Sequence, residues 1–290
     1  MEKYKSIINI LTSQIWAILP ERILAMAEIV SSGINVKSQK PVTSFNQQNI
    51  AYLPLWGIID QHDSWVLEAF GGTSTEVFGR MFDIAIADDS IGTILVDVDS
   101  PGGSVYGVQE LSDKIYNARG RKPIIAVVNS MMASAAYWIS SAADEIIITP
   151  GGEAGSIGVI AIHVDYSEQE KDVGVKPTII KAGKYKGEGN PHEPLGEEAK
   201  DYFQQRVDDY YNSFISAVAR NRGINTAKVV SDFGQGRMFG AKNAISSGMV
   251  DGIGTLEGIV KRLLVRKSTL KTAAKGGQLN KLAMDFARAK

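Results

Sequence analysis

Ser134 stands where a predicted strand gives way to a predicted helix. The apolar run over residues 124–128 predicts the strand, and a helix is predicted over residues 133–143. A hydroxyl at the start of a helix lies at the positive end of the helix dipole. The small neighbours Ala133 and Ala135 leave space for a substrate carbonyl. This arrangement is suited to nucleophilic catalysis by the serine, although a helix cap is the commoner use of a serine in this place.

The segment Asp99–Ser104 has the composition of a sharp turn, Asp-Ser-Pro-Gly-Gly-Ser. It follows an apolar strand-like run and precedes a predicted helix, and its two glycines let the backbone approach a ligand closely. The N–H group of Gly103, together with that of Ala135, could hold the oxyanion that forms when a carbonyl is attacked. A plain strand-to-helix turn is the alternative interpretation.

Three lysines stand close together in the glycine-containing segment Lys181–Gly189. A serine hydroxyl needs a base to take its proton, and a lysine can act as that base only when it is neutral. Its reference pKa of about 10.4 must then fall by about three units, which corresponds to about 4 kcal/mol of desolvation. The segment therefore predicts either a lysine base that is folded inward or an exposed basic loop.

Histidine offers a rival base, and the chain has three: His62, His163 and His192. His163 follows Ser134 by 29 residues and has Asp165 nearby, so a Clp-like Ser-His-Asp triad is an alternative. That triad is the less favoured assignment, because it leaves the lysine segment without a role. We expect His163 to be a strand residue with a satisfied hydrogen bond, and the other two histidines to lie exposed in polar loops.

Apolar, β-branched runs alternate with helical patterns along most of the chain. Strands are predicted at residues 50–59, 91–98, 124–128, 145–148, 157–164 and 177–180, and helices at 73–87, 105–118, 133–143, 167–173 and 197–222. This alternation predicts an α/β fold of repeated strand–helix units, in which a mainly parallel sheet is covered by helices.

The two ends of the chain differ from this middle region. Residues 1–35 are predicted to be helical, with Pro20 in a first turn, and a polar linker follows. Residues 1–48 are therefore interpreted as an N-terminal helical extension and linker, and residues 49–260 as the catalytic domain. Residues 261–290 form a basic C-terminal tail, in which nine Lys or Arg stand against one acid.

Composition narrows the classes of function. The 290 residues include no cysteine, which excludes disulfides, thiolate catalysis and cysteine metal sites. The net charge of −1 gives no global field that would attract nucleic acid, and no run of about 20 apolar residues predicts a membrane-spanning helix. We therefore expect a cytoplasmic protein with no nucleic-acid partner and no integral membrane segment. In the tail, the small-residue-rich segment 270–277 is a candidate for self-cleavage.

Four motifs occur together and in a fixed order. They are Ser-Pro-Gly-Gly-Ser at residues 100–104, Ala-Ser-Ala-Ala-Tyr-Trp at 133–138, Gly-Ser-Ile-Gly-Val at 155–159 and Ala-Gly-Lys-Tyr-Lys-Gly at 182–187. Over residues 50–260 the chain resembles the signal peptide peptidase A family of serine–lysine peptidases, which has a Clp-protease/crotonase-like fold. The combination is much more specific than any one of its motifs.

The resemblance implies roles for particular residues. Ser134 matches the family nucleophile, and Lys186, which follows 52 residues later, matches the general base. Gly102 and Gly103 match the oxyanion turn, and Ser156 matches a serine near the substrate groove. No metal and no organic cofactor are expected for this chemistry.

Three further segments are similar to the phage and prophage branch of the family, the head-maturation (prohead) proteases. They are residues 16–21, 71–76 and 190–195. The resemblance implies a homo-oligomeric protease that cleaves a capsid or scaffold protein in the host cytoplasm or the assembling prohead. A cellular signal-peptide-peptidase-like protease and a mainly scaffolding capsid-assembly protein are the alternatives. A crotonase-type enzyme is disfavoured, because that class typically lacks a serine nucleophile.

Overall fold

A ten-stranded mixed sheet organises the part of the chain that the computed structural model describes, which is residues 14–31, 45–47 and 49–265. Its strands are β1 (Trp16–Ile18), β2 (Phe45–Gln47), β3 (Ile50–Asp60), β4 (Gly72–Ser74), β5 (Thr93–Ser104), β6 (Ile124–Ala133), β7 (Glu145–Ile148), β8 (Glu153–Gly155), β9 (Met238–Gly240) and β10 (Gly252–Ile253). The helices are α1 (Pro20–Ser31), α2 (Trp65–Phe70), α3 (Thr75–Ala87), α4 (Val108–Asn117), α5 (Ala135–Ser140), α6 (Ser167–Asp172), α7 (Glu197–Arg222), α8 (Thr226–Asp232) and α9 (Ala241–Ser247). Residues 256–265 are also helical.

Four parallel strands form the centre of the sheet, in the order β7-β6-β5-β3. β10 continues the sheet parallel to β7, and β2 closes the other side antiparallel to β3. The run Ile124–Val128 is buried throughout, as expected for a strand that is covered on both faces. The predicted α/β fold with a mainly parallel sheet is confirmed.

Alternate side chains of the central strands enter two apolar layers. On one face Ile94 and Val96 belong to the main core, which also contains residues of α3, α4, α5 and α7. On the other face Leu95 and Ile125 pack with Ile259 of the helical residues 256–265. Helices therefore cover both faces, as predicted. Among the described helices, none is both long enough and apolar enough to cross a membrane.

The segment before α1 is a strand rather than part of a helix. The helix predicted over residues 1–35 is present at α1, which begins at Pro20, but the prediction is wrong for Trp16–Ile18, which form β1. β1 pairs antiparallel with the end of β5, and Ile15 and Ala17 are buried in the main core. Tertiary pairing has overridden local propensity here.

The predicted boundaries of the chain's three parts stay predictions. Part of the segment 1–48 does, however, belong to the same sheet as residues 49–260, through β1 and β2. The candidate self-cleavage segment 270–277 lies outside the described residues.

Two predicted strands are absent between β8 and α7. Residues 157–164 contribute a single bridge, between Ile160 and Trp16, and residues 177–180 have no regular structure. The connection from residue 157 to residue 196 contains the short helix α6 and otherwise turns and irregular backbone. The lysine segment lies in this connection.

Candidate active site

Ser134 lies at the junction between β6 and α5, in a backbone conformation that few non-glycine residues adopt. Its φ is 55° and its ψ is −116°, and such strain costs about 1–3 kcal/mol. The Ser134 N–H donates to the Gly155 carbonyl at 2.8 Å, and the Ser134 carbonyl accepts from the Trp138 N–H at 2.9 Å. These bonds hold the serine on a sharp strand-to-helix turn, a place where nucleophiles occur.

Helix α5, which follows Ser134 directly, is packed into the core. Every residue of this helix is buried, and Trp138 stacks on Phe214 of α7 with the ring centroids 4.6 Å apart. Ala135 is the first helical residue, so its N–H has no carbonyl partner within the helix. The helix therefore presents one backbone donor directly after the serine.

The Pro-Gly-Gly segment is the end of a strand and not the turn that was predicted. β5 continues through Ser104, and Gly102 and Gly103 pair with Ile58 and Ile59 of β3. A side chain at Gly103 would overlap the carbonyl oxygen of Ile59. Glycine is required because two backbones approach too closely for a Cβ atom.

Gly102 contacts the serine. A Cβ atom at Gly102 would lie 3.0 Å from the Ser134 Cβ and would overlap the carbonyl oxygen of Ala17. The Gly102 N–H donates to the Ser100 hydroxyl oxygen at 3.2 Å. The Gly102 N–H is thus bonded within its own strand, and Gly103 is the glycine whose N–H the sequence predicts as an oxyanion donor.

The Ser134 hydroxyl is enclosed. Ser134 is 0% exposed, and its Oγ donates to the Gly158 carbonyl at 3.4 Å. Ser156 is 4% exposed and has a φ of 55°, and its N–H donates to the Arg237 carbonyl at 2.9 Å. The carbonyls of Gly155 and Gly158 both accept hydrogen bonds from Ser134. Ser156 stands between these two glycines in the sequence and therefore lies in the wall of the site.

The three lysines of the lysine segment are exposed, and the segment is not hydrogen-bonded to the serine within the described residues. Residues 184–189 form turns, and Lys186 is exposed. Lys184 donates to Oε1 of Glu198 at 2.8 Å, and this hydrogen bond is the main cause that raises the pKa of Lys184. No hydrogen bond within the described part of the chain joins Lys186 to Ser134. The structure thus connects Ser134 with the glycines of β5 and with the segment around Ser156, but among the described residues it shows no contact of this group with Lys186.

The alternative histidine triad is not formed. His163 Nε2 lies 3.0 Å from the carbonyl oxygen of Asn190, so the predicted hydrogen bond is present although the predicted strand is not. The Asp165 carboxylate accepts the Ser167 N–H at 2.8 Å. The other two histidines lie beside carboxylates, His62 beside Glu76 and His192 beside Glu170.

Asp97 is a buried acid that the motif comparison missed. It is 0% exposed on β5, and its Oδ2 accepts from the Tyr52 hydroxyl and, at 3.1 Å, from Trp56 Nε1. Burial raises the pKa of Asp97, and the hydrogen bond from Tyr52 partly opposes this effect. The sequence feature that could have identified Asp97 is the position of an acidic residue inside the apolar run of residues 91–98. These bonds tie β5 to β3 shortly before the two glycines.

The family model for peptidase family S49 matches residues 117–269. The matched residues make up more than half of the chain, and they include Ser134 and the lysine segment. The chain belongs to peptidase family S49. The family that the sequence motifs predict is thereby confirmed.

Relatives of this S49 chain occur in an archaeon and in phages. A candidate protease of Methanocaldococcus jannaschii is 36% identical over 186 residues, which are 63% of this chain and 59% of the relative. The head-tail preconnector protein GP5 of Enterobacteria phage P21 is 30% identical over 240 residues, 83% of this chain and 47% of the relative. The capsid assembly protease C of Escherichia phage lambda is 27% identical over 258 residues, which are 89% of this chain and 58% of the relative. The S49 chain thus spans about half to three-fifths of the length of these relatives.

Proposed function

We propose that this chain is a serine peptidase in which Ser134 is the nucleophile and Lys186 the general base. The observation that carries the proposal is the strained Ser134 backbone, with Gly102 packed against the serine Cβ. Backbone strain persists only where the surrounding structure imposes it, and it clusters at reactive residues. Membership of a peptidase family, over residues that include both Ser134 and Lys186, supports the same assignment.

The chemistry runs through a covalent acyl-enzyme. Neutral Lys186 takes the proton of Ser134 Oγ as that oxygen attacks the carbonyl carbon of a peptide bond. The N–H groups of Gly103 and Ala135 hold the oxyanion of the tetrahedral intermediate. The protonated lysine then donates to the leaving amine. A water molecule then gives a proton to the same lysine and attacks the acyl carbon. The bond from that carbon to Ser134 Oγ breaks, and the lysine returns the proton to Oγ.

Lys186 has to leave its exposed position for this reaction. One route is closure of the turns 184–189 over Ser134 of the same chain. The other is supply of the lysine by a second copy of the chain in a homo-oligomer. Co-expression of Ser134→Ala and Lys186→Met variants separates the routes, because activity returns only if serine and lysine come from different copies.

The substrate class that we propose is a capsid or scaffold polypeptide, cleaved in the host cytoplasm or an assembling phage head. Two relatives that align with 83% and 89% of this chain are named as a head-tail preconnector protein and a capsid assembly protease. Gly102 and Ser156 would line the groove that takes this substrate. Mass spectrometry after co-expression with the capsid proteins tests the class. Capsid fragments should appear with the parent and not with Ser134→Ala, and identical fragments with both would contradict it.

Covalent labelling tests the nucleophile directly. A fluorophosphonate probe should modify Ser134 in the full chain, as identified by mass spectrometry, and peptide hydrolysis should fall on the order of 10⁶-fold in Ser134→Ala. Labelling of a different residue, or unchanged hydrolysis in this variant, would overturn the proposal.

Ser140→Ala is the matched control for this experiment. Ser140 is a buried serine of the same helix, 2% exposed, and its Oγ has no hydrogen-bond partner within the described residues. Because no interaction is lost, labelling and hydrolysis should stay within about twofold of the parent.

A further inference from the structure

Strand β1 lies in a groove beside Ser134. We call the space between residues 102–104 of β5 and Ile160 the peptide groove. On one side β1 pairs antiparallel with β5, with Ala17 opposite Gly103. On the other side Trp16 and Ile160 exchange two backbone hydrogen bonds, each of 2.9 Å. The backbone of β1 is therefore hydrogen-bonded along both of its edges. A peptide strand that is added to the edge of a sheet is bonded along one edge only.

The pairing register of β1 and β5 places the carbonyl of Ala17 opposite the N–H group of Gly103, the candidate oxyanion donor. Two hydrogen bonds bracket this position, Leu19 N–H to the Pro101 carbonyl at 3.0 Å and Val105 N–H to the Ile15 carbonyl at 3.2 Å. Hydrogen-bonded pairs alternate along an antiparallel ladder, so the pair midway between them, Ala17 and Gly103, is also hydrogen-bonded. The Gly103 N–H thus donates to the Ala17 carbonyl.

The Ala17 carbonyl also lies next to the serine. A Cβ atom built on Gly102 would overlap the Ala17 oxygen and would lie 3.0 Å from the Ser134 Cβ, so the two groups meet at Gly102. A scissile carbonyl needs these two neighbours, a nucleophile and a preorganised N–H donor. β1 occupies the position of a substrate strand, with Ala17 in the place of the residue whose carbonyl is attacked.

The side chains of β1 are buried on both faces of the strand. Ala17 is 0% exposed and belongs to the main core. Trp16 and Ile18 face the other way and pack with Ile23 of α1. Because the interior around Ala17 is closely packed, a larger side chain at this position would have to displace core atoms. The position next to Ser134 therefore selects a small residue.

We propose that β1 is an internal occupant of the peptide groove, and that a polypeptide substrate binds by replacing it as an extended antiparallel strand with a small residue at the Ala17 position. The inference rests on the proposed function of Ser134. It accounts for three features of this resting form: Ser134 is buried, its Oγ donates to Gly158 rather than to a base, and Lys186 is exposed. The chain keeps its own groove filled until a competing strand displaces β1.

A reversible tether tests the proposal in the full chain. Trp16 and Ser104 lie opposite each other in β1 and β5, at a non-hydrogen-bonded position where Cα atoms are about 4.5 Å apart and a disulfide can form. The chain has no cysteine, so Trp16→Cys/Ser104→Cys creates a single defined bridge. The probe is a fluorescent hexapeptide with the sequence of residues 14–19, and its binding is measured by anisotropy in the oxidised and the reduced protein.

The expected result is redox-dependent binding. The reduced protein should bind the hexapeptide, and oxidation should weaken binding by at least about tenfold, because a tethered strand lowers the fraction of open groove. Fluorophosphonate labelling of Ser134 should fall with oxidation and return with reductant. Equal peptide affinity in both states would overturn the proposal. So would a reduced protein that binds no peptide, or a bridge that does not form.

Glu153→Cys/Gly240→Cys is the matched control. These residues lie opposite each other in β8 and β9 and are exposed, and oxidation there should leave peptide affinity unchanged. Peptide binding requires no catalysis, so its result is independent of the proposed peptidase activity. Redox-dependent binding without labelling of Ser134 would keep β1 as the occupant of the groove and would reject the nucleophile.

Discussion

The serine side and the lysine side of the candidate site are built in opposite ways, although both contain glycines. Gly102 and Gly183 have the same φ of +94°. A Cβ atom at Gly102 would overlap the Ala17 carbonyl, whereas a Cβ atom at Gly183 would meet nothing closer than the Lys186 Cβ at 3.9 Å. Ser134 is enclosed by backbone and packed helix, and Lys186 lies in exposed turns.

This difference agrees with the catalytic roles that we propose for the two sides. Oxyanion donors act only if they are preorganised, and strand pairing holds the N–H of Gly103, the donor that we propose, in place. A lysine base acts only when it is desolvated, because water favours its charged form. In the proposed mechanism, closure of the exposed loop on the serine, or its supply by another copy, would place Lys186 in an apolar environment when substrate is present. A rigid frame and an adjustable base are thus complementary.

The largest expected effect is a difference in peptide hydrolysis between variants of two lysines in the same loop, Lys186 and Lys184. Lys186→Met should lower peptide hydrolysis by about 10²–10⁴-fold, the contribution of a positioned general base. Lys184→Met should leave hydrolysis within about threefold, because its hydrogen bond to Glu198 is exposed to solvent. Steady-state rates on one peptide substrate provide the comparison. Equal losses in the two variants would break the assignment of a specific base to Lys186.

The second effect compares the two glycines. Gly183→Ala should lower the free energy of unfolding by about 1 kcal/mol, the cost of a positive φ for alanine. Gly102→Ala should cost on the order of 1–3 kcal/mol more, because the new methyl group overlaps fixed backbone. Urea unfolding of both variants measures the difference, and similar losses would show that the serine side is as adaptable as the loop.

The regular parts of the fold were predictable because their patterns are local. Helix α7 and strand β7 have the predicted bounds, since long helical periodicity and a short β-branched run each favour one structure. Residues 157–164 and 177–180 have similar β-branched character. The first run pairs with β1 only at Ile160, and the second is not paired in the sheet. Such runs form strands only where a partner strand runs alongside them. The same dependence on partners explains β1, whose pairing with β5 joins residues far apart in sequence.

The candidate site was predictable as a set of residues but not as a geometry. Motif order identified Ser134, Gly102 and Gly103, and the structure brings them together. The positive φ of Ser134 could not be predicted, because serine rarely adopts this conformation. The extension of β5 through the glycines was also hidden, since Pro-Gly-Gly usually ends a strand.

The smallest predicted effect compares one carboxylate from each side of the site. Burial raises the pKa of Asp97 on β5 from its ordinary value of 3.8, whereas the hydrogen bond from Lys184 lowers the pKa of Glu198 from 4.5. For Asp97 the folded state holds the proton more tightly than the unfolded state. The contribution of Asp97 to the free energy of unfolding is therefore complete at a pH below its ordinary pKa of 3.8. This contribution is lost as the pH rises through the raised pKa of the folded state. For Glu198 the sign is opposite: the contribution is present above the ordinary value and is lost as pH falls through the lowered pKa.

Urea unfolding from about pH 3 to about pH 8 should show these opposite signs. Relative to Asp97→Asn, the parent should lose stability as pH rises through this range. Relative to Glu198→Gln, it should gain stability, and this gain should shrink in high salt, because an exposed ion pair is screened. The Asp97 effect should persist in salt, because that carboxyl is buried among Tyr52 and Trp56. The same sign for both variants would remove the contrast between the buried carboxyl of Asp97 and the exposed pair of Lys184 and Glu198.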